Sequence, residues 1–322
     1  MRVRILSSDT VRSTIDMPMA IEVMRDAFSA LAAGDATVPV RVALETSHGV
    51  SLFMPAHLKE QDSAGVKIVS VNEGNAQSGL PVIHAVVVVL DTLTGCPIAL
   101  MDGTWLTALR TGAVGGLAAD LLSRRDSTTV SLFGAGTQAR TQLEAVRCVR
   151  DITKVRIVSR SATSAQDLVG ELSGVEAVSL EDPDEAVTGA DIIIAATSSS
   201  TPVFDGALVE PGTHVTGIGS FTTDMREVDA TLVERARVIV DQKEAVLEEA
   251  GDIVGPIRDG LFGEDVITGE IGDIVLGRIT GRTEAEEITY FKSVGNAVQD
   301  IAVAAKVLSV AEAEELGEIF DL

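Results

Sequence analysis

The residues able to do chemistry fall into three groups. The first is "VSLFGAGTQARTQLEAV", starting at Val130, which follows a β-branched run and opens a helical one. It has the G-x-G-x-x-A form in Gly134, Gly136 and Ala139. Gly134 permits a tight turn, Gly136 lets backbone approach a pyrophosphate, and Ala139 allows close packing of helix on strand. Thr137 and Gln138 begin the helix, whose free amides and positive dipole end favour an anion.

The second group is "IVSRSATS", starting at Ile157. An NAD enzyme usually carries Asp or Glu here, about 20 residues beyond the glycines, to bind the ribose 2′-hydroxyl. This chain has Ser159, Arg160, Ser161 and Thr163 and no acid. A guanidinium flanked by hydroxyls suits a 2′-phosphate, so NADP(H) is the preferred cofactor, with NAD(H) possible. Thr197, ending the run "DIIIAAT", joins the expected cofactor contacts.

The third group is scattered. Arg110 and Thr111 stand where a first domain is expected to meet a second, beside the nicotinamide, and a guanidinium fork binds a carboxylate bidentately. Arg41 and Lys67 lie in otherwise apolar runs, "VPVRVAL" and "GVKIVSV", where an inward charge needs a partner. "VTGIGSFTTDMREVD" (215–229) reads as a strand turning into an acidic helix and delivers Phe221 and Asp224 to its carboxyl end. Asp224 is the candidate there for acid–base chemistry. Its competing role, shared with Thr223, is to cap the following helix.

The elements that must position these groups follow from periodicity. From Asp126 onward β-branched runs alternate with helical stretches, the βαβ pattern of a parallel sheet covered on both faces. Six strands are expected, at 128–133, 154–159, 175–179, 191–197, 213–219 and 237–241, making a doubly wound dinucleotide fold. Before it, "MPMAIEVMRDAFSALAAG" has Pro18 at a helix start and Gly34 as a stop. Extended stretches follow, separated by turn residues such as Gly65, Gly74 and Gly79, and read as an antiparallel or mixed sheet. A last long helix is expected over 284–309, with Ile288, Phe291, Gly295, Val298, Ile301, Ala302 and Ala305 near one face, leaving the dinucleotide domain to pack on the first. The fold class is α/β, a Rossmann sheet over 116–295 and an α+β domain from 1–115 and 296–322.

Composition excludes several classes. The chain has 322 residues, a formal charge of -23 and 46% hydrophobic residues. Nucleic acid is a poor partner for such an acid, because binding it requires Lys and Arg to neutralise phosphates. No apolar run is long enough to span a bilayer, and the first residues, "MRVRILSSDTVRS", lack a signal-peptide core. A cytoplasmic protein without a membrane partner is expected. The four histidines have no ligand spacing, so no metal site is expected, and Cys96 and Cys148 read as small buried hydrophobes. Lysines are few beside arginines, and the acidic surface suits either high internal salt or an ordinary acidic cytosol.

Several segments together resemble the ornithine cyclodeaminase and mu-crystallin family, which includes archaeal-type alanine dehydrogenases and ketimine reductases. They are "GVKIVSVNEGN", "TGCPIALMDGTWLTALRTGAVGGLAADLL", "FGAGTQARTQL", "MREVD", "GRTEAEEITYFKS" and "GNAVQD". The resemblance implies a substrate and dimerisation domain completed by the C-terminal helix, and a homodimer. It implies that Arg41, Lys67 and Arg110 hold the carboxylate of an amino or imino acid, with Lys67 exchanging a proton near the reacting nitrogen. Lys292 and Ser293 match a segment near the nicotinamide, with Val294 as an apolar contact.

In the cyclodeaminases a catalytic carboxylate sits in a turn after the fifth Rossmann strand, six residues ahead of a glutamate. Six residues ahead of Glu227 stands Phe221. The family's acid is absent from its place, which favours NAD(P)H-dependent reduction of a cyclic imino acid such as pyrroline- or piperideine-2-carboxylate. Alanine dehydrogenation, ornithine cyclodeamination and a non-catalytic binder of the mu-crystallin type stand as the alternatives.

Overall fold

The computed structural model describes residues 1–321, apart from the side chains at positions 73 and 76. The chain divides into two compact units, Met1–Arg110 with the segment from Asn296 onward, and Thr111–Gly295.

The first unit opens with β1 (Arg2–Leu6), α1 (Ser8–Thr14) and α2 (Met17–Ala33). In α2 the Asp16 side chain accepts from Met19 N, Pro18 sits in the first turn, and Gly34 ends the helix at φ 81°, a left-handed conformation that favours glycine. Then come β2 (Ala36–Thr37), β3 (Val42–Thr46), β4 (Gly49–Leu58), β5 (Ser63–Val71), β6 (Ile83–Leu90), β7 (Pro97–Asp102) and α3 (Gly103–Leu122), which the first unit holds as far as Arg110.

The second unit carries β8 (Thr129–Phe133), α4 (Thr137–Val149), β9 (Lys154–Val158), α5 (Ala162–Glu171), β10 (Glu176–Leu180), α6 (Pro183–Val187), β11 (Ile192–Ala195) and β12 (His214–Gly217). It continues with α7 (Ala230–Arg235), β13 (Arg237–Val240), α8 (Lys243–Glu249), α9 (Gly251–Arg258), β14 (Ile267–Glu270), α10 (Ile271–Val275) and β15 (Thr289–Lys292). The strands form one parallel sheet in the order β10-β9-β8-β11-β12-β15-β13-β14. Apolar clusters cover both faces, one gathering Leu132, Leu143 and Ile194, the other Phe133, Ile193 and Tyr290. The α/β fold class therefore stands, with eight strands where six were expected.

The expected helix over 284–309 is two elements. Residues 289–292 form β15, all four buried and paired between β12 and β13. Ile288 and Phe291 suit a buried strand as well as a helix, and the β-branched and aromatic run "ITYF" fills the slot between two strands. Gly295 at φ 86° and the Asn296 side chain, which accepts from Val298 N, then start α11 (Ala297–Ala313). α11 belongs with the first unit, where it packs on α2 and on β4, β5 and β6. The chain returns along β1 as antiparallel β16 (Glu318–Asp321), giving the order β16-β1-β7-β6-β5-β4-β2, with β3 on β4.

Two smaller expectations also fail. Gly65 is no turn residue: it lies inside β5, where a Cβ would stand 2.3 Å from the Val88 carbonyl oxygen and 3.0 Å from Ile301 Cδ1. The backbone of the neighbouring strand β6 approaches too closely there for any side chain. Cys96 and Cys148 are both exposed. Cys96 lies just before β7, and Cys148 falls off the buried stripe of α4, which runs through Ala139, Leu143 and Val146. Among the described residues no helix is long and apolar enough to cross a membrane.

Candidate active site

In the first unit a buried charge cluster forms beneath α11. Alternation along β5 turns Lys67 to the buried face between Gly65 and Val69, opposite Met54 of β4 and Val87 of β6. Its Nζ lies 2.8 Å from Asp300 Oδ2. Arg110, from α3, donates its Nε to Asp300 Oδ1 at 2.9 Å and its Nη1 to Gln299 Oε1 at 2.7 Å. Lys67, Arg110, Gln299 and Asp300 are all buried. Arg41 precedes β3 rather than lying within it, and is half-buried. Burial depresses the Lys67 pKa from 10.5 to about 8; Asp300 opposes the shift, while Arg110 and Arg41 reinforce it. Two buried cations thus face one carboxylate, an excess of positive charge at a place where charge is poorly screened.

In the second unit Gly134 takes φ 108°, and a Cβ there would stand 2.4 Å from the Ala196 carbonyl oxygen. Gly136 caps α4 with no side-chain hydrogen bond, and the space around its missing Cβ is open. The first amides of α4 are therefore presented without a competing cap, which fits a dinucleotide pyrophosphate. Ala139 is buried against the strand layer, Thr137 is exposed, and Gln138 Oε1 is buried without a hydrogen-bond partner. At the end of β9, Ser159 is half-buried and Arg160 and Thr163 are exposed, while Ser161 caps α5 by accepting from Ser164 N at 3.2 Å. Thr111 is buried, and its carbonyl accepts from Gln142 Nε2 at 2.6 Å. A Cβ at Gly115 would stand 1.7 Å from Gln142 Oε1, so the glycines of "TGAVGG" let α3 and α4 approach.

The segment after β12 differs from expectation. No helix follows Thr223 or Asp224: both lie in an exposed or half-exposed turn, and α7 begins only after Asp229, whose side chain accepts from Leu232 N at 2.9 Å. Asp224 and Thr223 are therefore not helix caps. Phe221 is 36% exposed. The segment instead wraps round Glu227, whose carboxylate accepts from Thr197 N at 2.5 Å, Thr197 Oγ1 at 2.9 Å, Gly219 N at 2.6 Å and Ser220 N at 3.1 Å. Burial raises the Glu227 pKa, with Lys292 opposing.

Beneath it, Asp252 accepts from Glu227 N at 2.6 Å and Val228 N at 3.1 Å, and pairs with Lys292 Nζ at 2.6 Å. Lys292, fully buried, is thus spent on structure. Asp241 accepts from Ser293 Oγ at 2.7 Å, Val294 N at 3.0 Å and Gly295 N at 2.9 Å, holding Val294 in place. His214, enclosed by Thr216 and Thr289, has its pKa pushed down to about 3 by burial and stays neutral.

Sequence reasoning missed Asp300, Gln299, Asp252 and Asp241, and used Glu227 only as a marker. A signal existed for two of them: Gln299 and Asp300 interrupt an apolar helix that is buried nearly all round, where polar groups need partners. Among the described residues no group of three or more His, Cys, Asp or Glu is placed to hold a metal ion.

Comparison with known proteins adds to this geometry. The Δ1-pyrroline-2-carboxylate reductase of Bacillus cereus is 38% identical over 306 residues, 93% of this chain and 94% of that protein. The structure of Thermococcus litoralis Δ1-pyrroline-2-carboxylate reductase in complex with NADH and L-proline superposes with a TM-score of 0.95 at 38% identity, covering 98% of this chain and 99% of that one. An archaeal alanine dehydrogenase dimer with bound NAD superposes with a TM-score of 0.96 at 36% identity, covering 100% of both chains. The family model for ornithine cyclodeaminase and mu-crystallin matches residues 2–315, and the chain belongs to the ornithine cyclodeaminase/mu-crystallin family.

Proposed function

We propose that the protein is an NAD(P)H-dependent reductase of a small cyclic imino acid, with Δ1-pyrroline-2-carboxylate as substrate and proline as product. The observation that carries this reading is the pair of buried cations, Lys67 and Arg110, on the single carboxylate of Asp300. A substrate carboxylate completes that charge balance, and Arg41 adds to the attraction. The names of the relatives support the same chemistry.

In this reading Arg110 and Arg41 hold the substrate carboxylate. Lys67, with a pKa of about 8, is mostly protonated at neutral pH and delivers a proton to the ring nitrogen as the C=N bond is reduced. Gly134, Gly136, Thr137, Gln138 and Ala139 cradle the dinucleotide pyrophosphate, and Thr197, Phe221 and Val294 flank the nicotinamide end. When bound, the reduced nicotinamide supplies the hydride to the ring carbon. Asp224, exposed in its turn, takes no step in this scheme.

We assign a preference for NADP(H) to Ser159, Arg160, Ser161 and Thr163, because no carboxylate stands at the end of β9. The solved relatives carry NADH and NAD, so this assignment needs its own test. We further assign substrate binding and dimerisation to the first unit, where Val42, Leu44, Ile83 and Val86 of β3 and β6 are exposed and a second copy of the chain would cover them.

The test is to incubate the protein with NADPH or NADH and Δ1-pyrroline-2-carboxylate, and separately with NAD⁺ and ornithine or alanine. Loss of reduced cofactor with formation of proline, and no proline from ornithine, is the expected result. Oxidation of alanine without imine reduction would instead establish the amino acid dehydrogenase, the reading that the archaeal relative favours.

A further inference from the structure

We propose that Glu227 is a positioning residue, which fixes Thr197 and Gly219–Phe221 as a rigid wall for the nicotinamide end of the cofactor; this rests on the dinucleotide reading above. The sheet order places β8, β11, β12 and β15 side by side. Their carboxyl ends, where ligands of open parallel sheets bind, carry in turn Gly134, Thr197, Gly219 to Phe221, and Val294. A dinucleotide whose pyrophosphate lies on the first of these reaches along the others.

Glu227 ties the second and third strand ends together. Its two oxygens accept four donors, three of them backbone amides from Thr197, Gly219 and Ser220. A carboxylate so engaged, and fully buried, has no role in proton transfer. The junction it makes is tight: a Cβ on Gly219 would stand 1.9 Å from the Thr197 carbonyl oxygen.

The far side of the turn is braced separately. Ser220 Oγ donates to the Met225 carbonyl at 2.8 Å, and Met225 N and Gly251 N both donate to the Thr222 carbonyl, at 3.1 and 3.2 Å. A Cβ on Gly251 would stand 2.1 Å from the Met225 carbonyl oxygen and 2.7 Å from that of Thr223. Asp252, anchored by Lys292, accepts from the Glu227 amide. Both ends of the turn are therefore fixed by hydrogen bonds and close packing within the chain, and Phe221 stands 36% exposed on it.

The two braces can be broken independently. Glu227→Gln places an NH2 group against backbone donors, whereas Gly251→Ala pushes on the carbonyls of the turn and leaves the carboxylate intact. Two probes separate the halves of the cofactor: 2′-phospho-ADP-ribose, which lacks nicotinamide, and NADPH, whose nicotinamide fluorescence changes on binding. In both variants kcat for imine reduction is expected to fall about 100-fold, the scale of an ångström-sized misplacement. Affinity for 2′-phospho-ADP-ribose should stay within about twofold of the wild type, as for a change that does not touch its site. The fluorescence of bound NADPH should move towards that of the free cofactor.

If kcat is unchanged in both variants, or if affinity for 2′-phospho-ADP-ribose falls in step with kcat, the positioning role is overturned. Should Glu227→Gln fail to fold, Gly251→Ala decides alone. If the wild type binds NADH and ADP-ribose in place of these probes, the same comparison is made with that pair; a wild-type protein that binds none of the four would overturn the dinucleotide reading and this inference with it, whereas normal wild-type binding with indifferent variants overturns only the inference.

Discussion

Lys67 and Arg110 reach the same carboxylate from different elements, Lys67 Nζ at 2.8 Å from Asp300 Oδ2 and Arg110 Nε at 2.9 Å from Oδ1, with all three side chains buried. Asp300 is therefore the group on which both cations depend. Removing one member of a buried ion pair leaves the other charge uncompensated, at a cost of about 3–5 kcal/mol. Asp300→Asn should lower stability by that order in urea denaturation. An unchanged midpoint would show that the cluster is hydrated or otherwise compensated.

The depressed pKa of Lys67 sets a pH window. With a folded-state value of about 8 against the ordinary 10.5, the proton needed for imine reduction is lost as pH rises through about 8. kcat/KM for the imine should fall on that limb, and Lys67→Met should abolish the limb together with most of the activity. Stability runs the other way. The unfolded chain holds the Lys67 proton up to about 10.5, so the cost of burying this charge is fully present below pH 8 and is relieved between the two values. A limb that persists in the Lys67→Met protein would assign it to another group.

The proposed NADP(H) preference rests on Arg160 and its neighbouring hydroxyls, which follow β9 with no carboxylate among them. Arg160→Asp should shift the ratio of kcat/KM for NADPH over NADH towards NADH by tenfold or more, since a charge-assisted contact worth about 1.5–3 kcal/mol is replaced by repulsion of the 2′-phosphate. Equal ratios in the two proteins would remove Arg160 from the cofactor site.

The formal charge of -23 repels itself at low ionic strength, and screening shortens to about 3 Å in molar salt. The melting temperature should therefore rise between low and molar NaCl. A flat or falling melting temperature would return the protein to the class of ordinary acidic proteins.

What could be read in the sequence was local. The glycine loop, the Pro18 start and Gly34 stop of α2, and the β-branched strands each carry their own backbone chemistry, and each took the expected form. The site cations stood out because Lys67 breaks an apolar alternation. Pairing across the chain was not legible: Asp300 meets Lys67 only after α11 lies on β5, and Glu227 meets Thr197 only after β11 and β12 align. The same holds for "ITYF", whose spacing suits either period and whose strand identity comes from the gap between β12 and β13. The expected cap at Asp224 failed because the buried carboxylate of Glu227 organises that segment before any helix can begin.

The most direct test of the carboxylate clamp is to compare Δ1-pyrroline-2-carboxylate with its neutral carboxamide as substrates for the wild-type, Arg110→Ala and Asp224→Asn proteins. The wild type should form proline from the acid and reduce the amide far more slowly. Arg110→Ala should lose about 2–5 kcal/mol of transition-state binding for the acid alone, and Asp224→Asn should stay within about twofold of the wild type, as exposed substitutions do. Equal turnover of acid and amide by the wild type, or an undiminished preference for the acid in Arg110→Ala, would contradict the account.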